Sequence, residues 1–135
     1  MAQVIDELGP PARLDRNGVM TYARRNILDV YRTGPGLRTR VEMLIAAGPG
    51  FCTAEGACSS RAGGLRKMLD AYPKRFKRYK DGTGDTIFRW CRRIQRRAIS
   101  TSFNVDLKGG RILTWFIADE GRRCPNPRTL GLRRG

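Results

Sequence analysis

The stretch that decides the predicted fold is residues 37–91, LRTRVEMLIAAGPGFCTAEGACSSRAGGLRKMLDAYPKRFKRYKDGTGDTIFRWC. Residues 37–47 place apolar side chains on one helical face, and the Gly-Pro-Gly run at 48–50 ends that segment. Residues 61–72 repeat apolar side chains at helical spacing until Pro73 stops them. Between the two, residues 53–58 suit a helix of about two turns that Thr53 would cap. The stretch therefore predicts a helix, a short helix and a further helix.

Two hairpins are predicted after these helices. The runs KRFKRYK and TIFRWC are joined by DGTGD at 81–85, whose glycines supply the positive φ angles of a hairpin loop. The runs SFNVDL and RILTWFI flank KGG at 108–110, which is a shorter and stronger hairpin signal. Upstream, apolar residues at helical spacing over 19–31 predict one more helix. We expect a flexible arm over 1–18, one domain over 19–120 and a disordered basic tail over 121–135.

The charge of the chain points to a polyanionic partner. Its 135 residues carry 27 Lys and Arg against 12 Asp and Glu, a formal net charge of +15. Most of the cations are arginine, which grips phosphates bidentately. They cluster in KRFKRYK at 74–80 and in RWCRRIQRR at 89–97. Surface cations are often only solvated, but at this net charge we expect nucleic-acid binding that weakens with salt.

The order helix, short helix, helix, two-stranded hairpin resembles the winged helix-turn-helix superfamily. The features that carry the resemblance are LIAAG, TAEGA, SSRAGGLRKML and RYKDGTGDTIFRW. The resemblance implies an α+β fold, with a winged-helix core preceded by one helix and followed by the second hairpin and the tail. It also implies that helix 61–72 enters the major groove of DNA and that the 76–90 wing contacts the neighbouring backbone.

The resemblance carries a set of DNA-binding residues onto this chain by position, and the arginine run adds five more. From the third helix and the turn before it come Ser59, Ser60, Arg61, Gly63, Arg66 and Lys67. From the wing come Lys77, Arg78, Lys80 and Thr83. From the arginine run come Arg89, Arg92, Arg93, Arg96 and Arg97. The helix offers few base-reading side chains besides Arg61 and Arg66, so we expect weak or moderate sequence specificity.

The sequence predicts a double-stranded DNA-binding protein that regulates transcription or replication, of a size and arginine content typical of bacterial or phage chains. One alternative is a phage-type inhibitor or adaptor whose basic face docks on a host protein or nucleoprotein complex. A second alternative is RNA binding. Phe76, Tyr79, Phe88 and Trp90 could stack on unpaired bases, although we expect them in the core.

Several function classes are disfavoured. The chain has no histidine, which removes the commonest general base and metal ligand, so we expect no enzyme activity and no cofactor. Its four cysteines, at 52, 58, 91 and 124, are spaced too irregularly for paired zinc knuckles, so we expect no metal and expect Cys58 and Cys91 as small buried residues. A zinc site built from all four stays open as an alternative. Without a signal-peptide pattern or a long apolar run, we expect a cytoplasmic protein with no membrane partner.

Overall fold

The computed structural model describes residues 10–14, 16, 19–23, 27–32, 41–54 and 56–135, and the structural statements below refer to these residues. They form mainly antiparallel β-structure with one short α-helix, α1, over Gly64–Ala71. A 3-10 helix spans Pro127–Leu130. The strands are β1 Arg13–Leu14, β2 Met20–Ala23, β3 Ile27–Arg32, β4 Val41–Ala47, β5 Lys77–Lys80, β6 Thr86–Ile94, β7 Arg97–Asp106, β8 Arg111–Asp119 and β9 Arg133–Arg134.

The strands form one sheet in the order β1-β2-β3-β4-β8-β7-β6-β5-β9, and all the described pairings between these strands are antiparallel. The first four strands are sequential neighbours, as are β5 to β8, and β4 joins the two groups by pairing with β8. Two connections therefore leave the sheet. Residues 48–76 include α1, and residues 120–132 lead from the middle of the sheet to its β5 edge.

The core lies between α1 and one face of the sheet. Phe88, Phe103 and Trp115 are direct neighbours on β6, β7 and β8, so they project from the same face. Leu65 and Met68 of α1 are buried against this row. The ring centroids of Phe88 and Phe103 are 5.6 Å apart, and those of Phe103 and Trp115 are 5.2 Å apart. Such aromatic pairs contribute about 0.5–1.5 kcal/mol each beyond the burial of their area.

Two adjacent glycines let α1 begin where it does. Gly63 precedes the helix at φ 74°, a left-handed conformation that costs other residues energy. A Cβ on Gly64 would collide with the backbone carbonyl of Cys58. The pair therefore serves a close internal approach between helix and loop, which explains why two poor helix formers stand at the start of the helix.

The hairpin loops obtain their shape from local hydrogen bonds. The Asp81 carboxylate accepts from the Thr83 hydroxyl at 2.7 Å and from the backbone N–H groups of Thr83 and Asp85 at 2.9 Å. The turn between β7 and β8 has Gly110 at φ 60°, and the Gly110 carbonyl accepts from the Leu65 N–H at 3.2 Å. The second hairpin thus holds the first turn of α1 against the sheet.

The C-terminal segment is held to the sheet, although the sequence predicts a disordered tail over 121–135. Cys124 forms a disulfide with Cys91 of β6, and β9 pairs with β5 and becomes the last strand of the sheet. Leu132 is buried, with only 8% of its surface exposed. A covalent bridge, a buried leucine and a strand pairing offset the unfavourable composition of the segment. At the other end, Arg13–Leu14 of the predicted arm pairs with β2, while residues 1–9 lie outside the described residues.

The predicted winged helix-turn-helix is wrong, and so is the α+β class: the fold is mainly β. The segment predicted as helix 19–31 forms β2 and β3, and the end of predicted helix 37–47 forms β4, while 37–40 lie outside the described residues. The predicted short helix 53–58 is a loop closed by a Cys52–Cys58 disulfide. The third predicted helix is found, over Gly64–Ala71, and both predicted hairpins are confirmed. The supposed wing belongs to the large sheet.

The reason for the errors lies in the upstream segments. Val41–Ala47 is a short, nearly continuous apolar run, a pattern that a buried strand and a helix share. Its partner β8 lies about 70 positions further along the chain, so no local signal reveals the pairing.

None of the described helices is long and apolar enough to cross a membrane.

Candidate nucleic-acid interface

The predicted DNA-binding residues around α1 do not share one surface. Ser59 is fully buried, and its hydroxyl donates to the Gly48 carbonyl at 2.5 Å. Ser60 is half-buried, and its N–H donates to the Ile112 carbonyl at 2.7 Å. The side chains that do face solvent from this region are Arg61, Arg66 and Lys67, with Gly63 beside them. Arg66 lies 3.7 Å from the Asp70 carboxylate in an exposed i,i+4 pair.

The predicted wing residues lie at the edge of the sheet. Lys77 and Arg78 of β5 are exposed. Lys80 is half-buried and donates from Nζ to the Gly84 carbonyl at 3.0 Å, while Thr83 is engaged by Asp81 within the loop. The Thr83 hydroxyl bond is the main cause that holds the pKa of the Asp81 carboxyl below its ordinary value. Lys80 and Thr83 thus stabilise the loop, and Lys77 and Arg78 remain free of described carboxylates.

The five arginines of the predicted run are divided between the two faces of the sheet. Arg92 lies on the α1 face, and its guanidinium carbon is 4.9 Å from the centroid of the Trp90 ring. Arg93 projects from the opposite face, because successive residues of a strand alternate. Arg96 lies exposed in the turn between β6 and β7. The run is therefore not a single stripe of positive charge.

Two of these arginines are engaged by carboxylates. Arg97 and Asp119 form a bidentate pair, in which Nε donates to Oδ1 at 3.0 Å and Nη2 donates to Oδ2 at 2.5 Å. Asp119 raises the pKa of Arg97 through this hydrogen bond and through its charge. Arg89 donates to Glu120 at 2.5 Å, and only 10% of its side chain is exposed. Both side chains hold the end of β8 in place, and neither belongs to the free positive surface described next.

A groove at the β5 edge gathers cations that do remain free. It has a volume of about 910 Å³ and lies between β5 and the C-terminal segment. We call it the edge groove. Its residues are Lys77, Tyr79, Gly82, Asn126, Pro127, Arg128, Gly131, Leu132, Arg133 and Arg134.

The chemistry of the edge groove is that of an anion site. Four of its residues are cationic, none is acidic, and none of the four cations pairs with a described carboxylate. The buried side chains of Tyr79 and Leu132 pack beneath it, with 7% and 8% of their surface exposed. Sequence reasoning found only Lys77 of the four cations, because it placed Arg128, Arg133 and Arg134 in a disordered tail. The apolar side chain of that segment that marks its attachment is Leu132, which is buried, whereas Leu130 is exposed.

A second groove of about 470 Å³ lies on the α1 face, and we call it the aromatic groove. It is lined by Leu44 and Ala46 of β4, the 51–53 loop, α1 and its C-terminal neighbours, and the facing residues of β6, β7 and β8. Its aromatic members are Phe51, Tyr72, Phe76, Trp90 and Trp115. Arg92 is its one charged lining residue among those described.

The cysteines cannot serve as the zinc ligands that the sequence left open. All four sulfurs are used in the disulfides Cys52–Cys58 and Cys91–Cys124. The expectation of free thiols is therefore wrong, although Cys58 is buried as expected. Among the described residues no group of three or more Cys, Asp or Glu side chains is placed to hold a metal ion.

Comparison with known proteins finds no match to a family model, to a curated protein or to a solved structure. The function must accordingly be inferred from the two grooves and the charge of the chain.

Proposed function

We propose that the protein binds double-stranded DNA, and that the edge groove contacts the phosphate backbone. The observation that carries the proposal is that Lys77, Arg128, Arg133 and Arg134 line one concave surface and that none of them pairs with a described carboxylate. Guanidinium groups favour phosphate because they donate two parallel hydrogen bonds. The net charge of +15 adds long-range attraction to the same kind of partner.

The proposed contacts are to the backbone and not to the bases. No aromatic ring whose burial is described is fully exposed, so none is ready to stack on an unpaired base. The exposed side of α1 is short, and one of its two cations is paired with Asp70. Phosphate contacts position a protein on DNA without reading sequence. We therefore expect weak sequence specificity and a binding role without catalysis.

The strength of binding should follow the salt concentration. Each phosphate neutralised on duplex DNA contributes about 0.9 to the slope of log affinity against log salt. Four groove cations that each meet one phosphate would give a slope of about 3.6 in magnitude. Arg93 and Arg96, exposed and free of described carboxylates, can add to this value where the duplex extends along the sheet.

The location of the protein bears on the nucleic acid it would meet. Two disulfides are typical of oxidising compartments and rare in the cytoplasm. They favour a location outside the reducing cytoplasm over the cytoplasmic one that the sequence predicts. A role in regulating transcription or replication stays a prediction, as does docking on a partner protein.

Fluorescence anisotropy with a labelled mixed-sequence duplex tests the proposal. The variant Arg133→Gln/Arg134→Gln removes two cations from the edge groove, and Arg66→Gln/Lys67→Gln removes two from α1 as a matched control. We expect the edge variant to lower the salt slope by about 1.8 and the control to leave it nearly unchanged. Equal losses in both variants would show that only the total charge matters. Structured RNA that displaces the duplex at equal concentration would favour the RNA alternative.

A further inference from the structure

We propose that the aromatic groove binds one small amphipathic carboxylate, with its apolar body on the sheet and its carboxylate at Arg92. This site shares no lining residue with the edge groove, so the proposal does not depend on DNA binding. Its volume of about 470 Å³ lies within the range of roughly 300–1,000 Å³ that is usual for small-molecule sites.

The floor of the groove is a row of four side chains that runs across the sheet. Leu44 faces Ile117, Ile117 faces Thr101, and Thr101 faces Trp90 in the strand registers. Ile117 keeps 40% of its surface exposed, which is unusual for an isoleucine in the middle strands of a sheet. Phe51 and Tyr72 form the side toward α1. An apolar ligand body would cover the exposed part of this floor.

The positive end of the groove is fixed in position by an indole ring. The guanidinium carbons of Arg92 and Arg75 lie 4.9 and 5.2 Å from the centroid of Trp90. Neither arginine pairs with a described carboxylate. Asp119, two strands away on the same face, is engaged by Arg97. Arg92, which lines the groove, therefore remains available to an anion, and Arg75 is held against the same ring outside the lining. Charge complementarity then selects a carboxylate over a neutral ligand.

The same contacts make a nucleobase the weaker occupant. A base would need a free aromatic face, but Trp90 is already contacted by two guanidinium groups and by the rings of Tyr72 and Phe76. Stacking a base there would displace the cations that its phosphate needs. A flexible chain or a single ring can instead lie on Ile117 and Leu44 without disturbing Trp90.

Intrinsic tryptophan fluorescence gives a direct test, because the only two tryptophans of the chain, Trp90 and Trp115, both line the groove. The probes are dodecanoate, the neutral dodecanol and the cationic dodecyltrimethylammonium, each below its critical micelle concentration. Arg92→Gln is the test variant. Arg93→Gln is the matched control, since Arg93 is the next residue and projects from the other face.

We expect dodecanoate to shift the emission with one binding site per chain, as counted by calorimetry, and to bind at least about tenfold more tightly than dodecanol. Arg92→Gln should lower the affinity for dodecanoate about tenfold and leave the affinity for dodecanol unchanged. Arg93→Gln should change either affinity by less than about twofold. Thr101→Phe places an aromatic ring on the floor of the groove and should abolish the binding of both dodecanoate and dodecanol. The circular dichroism spectrum of this variant should stay unchanged, which shows that the chain still folds. Equal weakening by Arg92→Gln and Arg93→Gln, or binding of many dodecanoate molecules per chain, would overturn the proposal.

Discussion

Arg89 donates a hydrogen bond from Nη2 to Oε1 of Glu120 across 2.5 Å, in a setting where 10% and 18% of the two side chains are exposed. The same carboxylate oxygen accepts from the Ser100 hydroxyl at 2.5 Å, and Arg89 Nη1 donates to the Ser102 hydroxyl at 3.1 Å. The pair therefore joins β6 and β7 to the first residue after β8. This is the point from which the C-terminal segment leaves for the sheet edge, so the ion pair supports the edge groove indirectly.

Removal of one partner of this pair should destabilise the protein strongly. Glu120→Ala leaves the Arg89 guanidinium buried without a counterion, and we expect a loss of about 3–5 kcal/mol in the free energy of unfolding. Replacing both residues, as in Arg89→Met/Glu120→Leu, should recover most of that loss, because no charge is left buried. Urea unfolding followed by circular dichroism measures both variants. Arg66→Ala, which breaks an ion pair with side chains 89% and 73% exposed, should cost at most about 1 kcal/mol.

The start of α1 should not tolerate a side chain. Gly64→Ala places a Cβ against the Cys58 carbonyl, and we expect a loss of about 1–3 kcal/mol in the free energy of unfolding. Gly82→Ala serves as the control, because a Cβ there meets open space. That variant should be neutral or stabilising by up to about 1 kcal/mol. If the two alanine variants unfold at the same urea concentration, the close approach of helix and loop does not exist in solution.

The two disulfides should contribute unequally to stability. Cys91–Cys124 closes a loop with a sequence separation of 33, and Cys52–Cys58 one of 6. From loop-closure entropy, we expect the disulfide of the longer loop to stabilise the folded state by about 3–4 kcal/mol and that of the shorter loop by about 2 kcal/mol. Replacing each pair by serines and comparing thermal unfolding tests the order. A larger loss from Cys52→Ser/Cys58→Ser would mean that the C-terminal segment is held by other contacts.

The loop between β5 and β6 should lose its ordered form in acid. Hydrogen bonds lower the pKa of the Asp81 carboxyl in the folded chain, with the Thr83 side-chain bond as the largest cause. The stabilisation is therefore complete above the unfolded pKa and is lost as the pH falls through the lower folded pKa. An NMR titration of the Asp81 carboxyl carbon measures this directly. Thr83→Val should move the pKa upward, and an unchanged midpoint would remove the hydroxyl bond as its cause.

The parts of the fold that local signals specify could be predicted from the sequence. Asp-Gly and Gly-Gly loops identify both confirmed hairpins, because few residues other than glycine adopt their φ angles without strain. Pro73 and the spacing of Leu65, Met68 and Leu69 place α1. The upstream half could not be predicted in this way, since β4 obtains its conformation by pairing with β8 and not from its own apolar pattern.

The candidate site was partly accessible to sequence reasoning. Strand alternation through FRWCRR places Arg92 and Arg93 on opposite faces, so the arginine run could have been divided before the structure was known. Lys77 was identified from its cluster. The other three cations of the edge groove could not be placed with it, because only the β5–β9 pairing and the Cys91–Cys124 bridge bring residues 128–134 to that edge.

The most direct test of DNA binding at the edge groove is a chemical-shift titration of the 15N-labelled protein with a short mixed-sequence duplex. We predict that the largest shifts fall on the amides of Lys77, Arg128, Arg133 and Arg134, and that those of Arg61, Arg66 and Lys67 barely move. Shifts concentrated on α1 and the loop before it, or no shifts at low salt, would contradict the proposed interface.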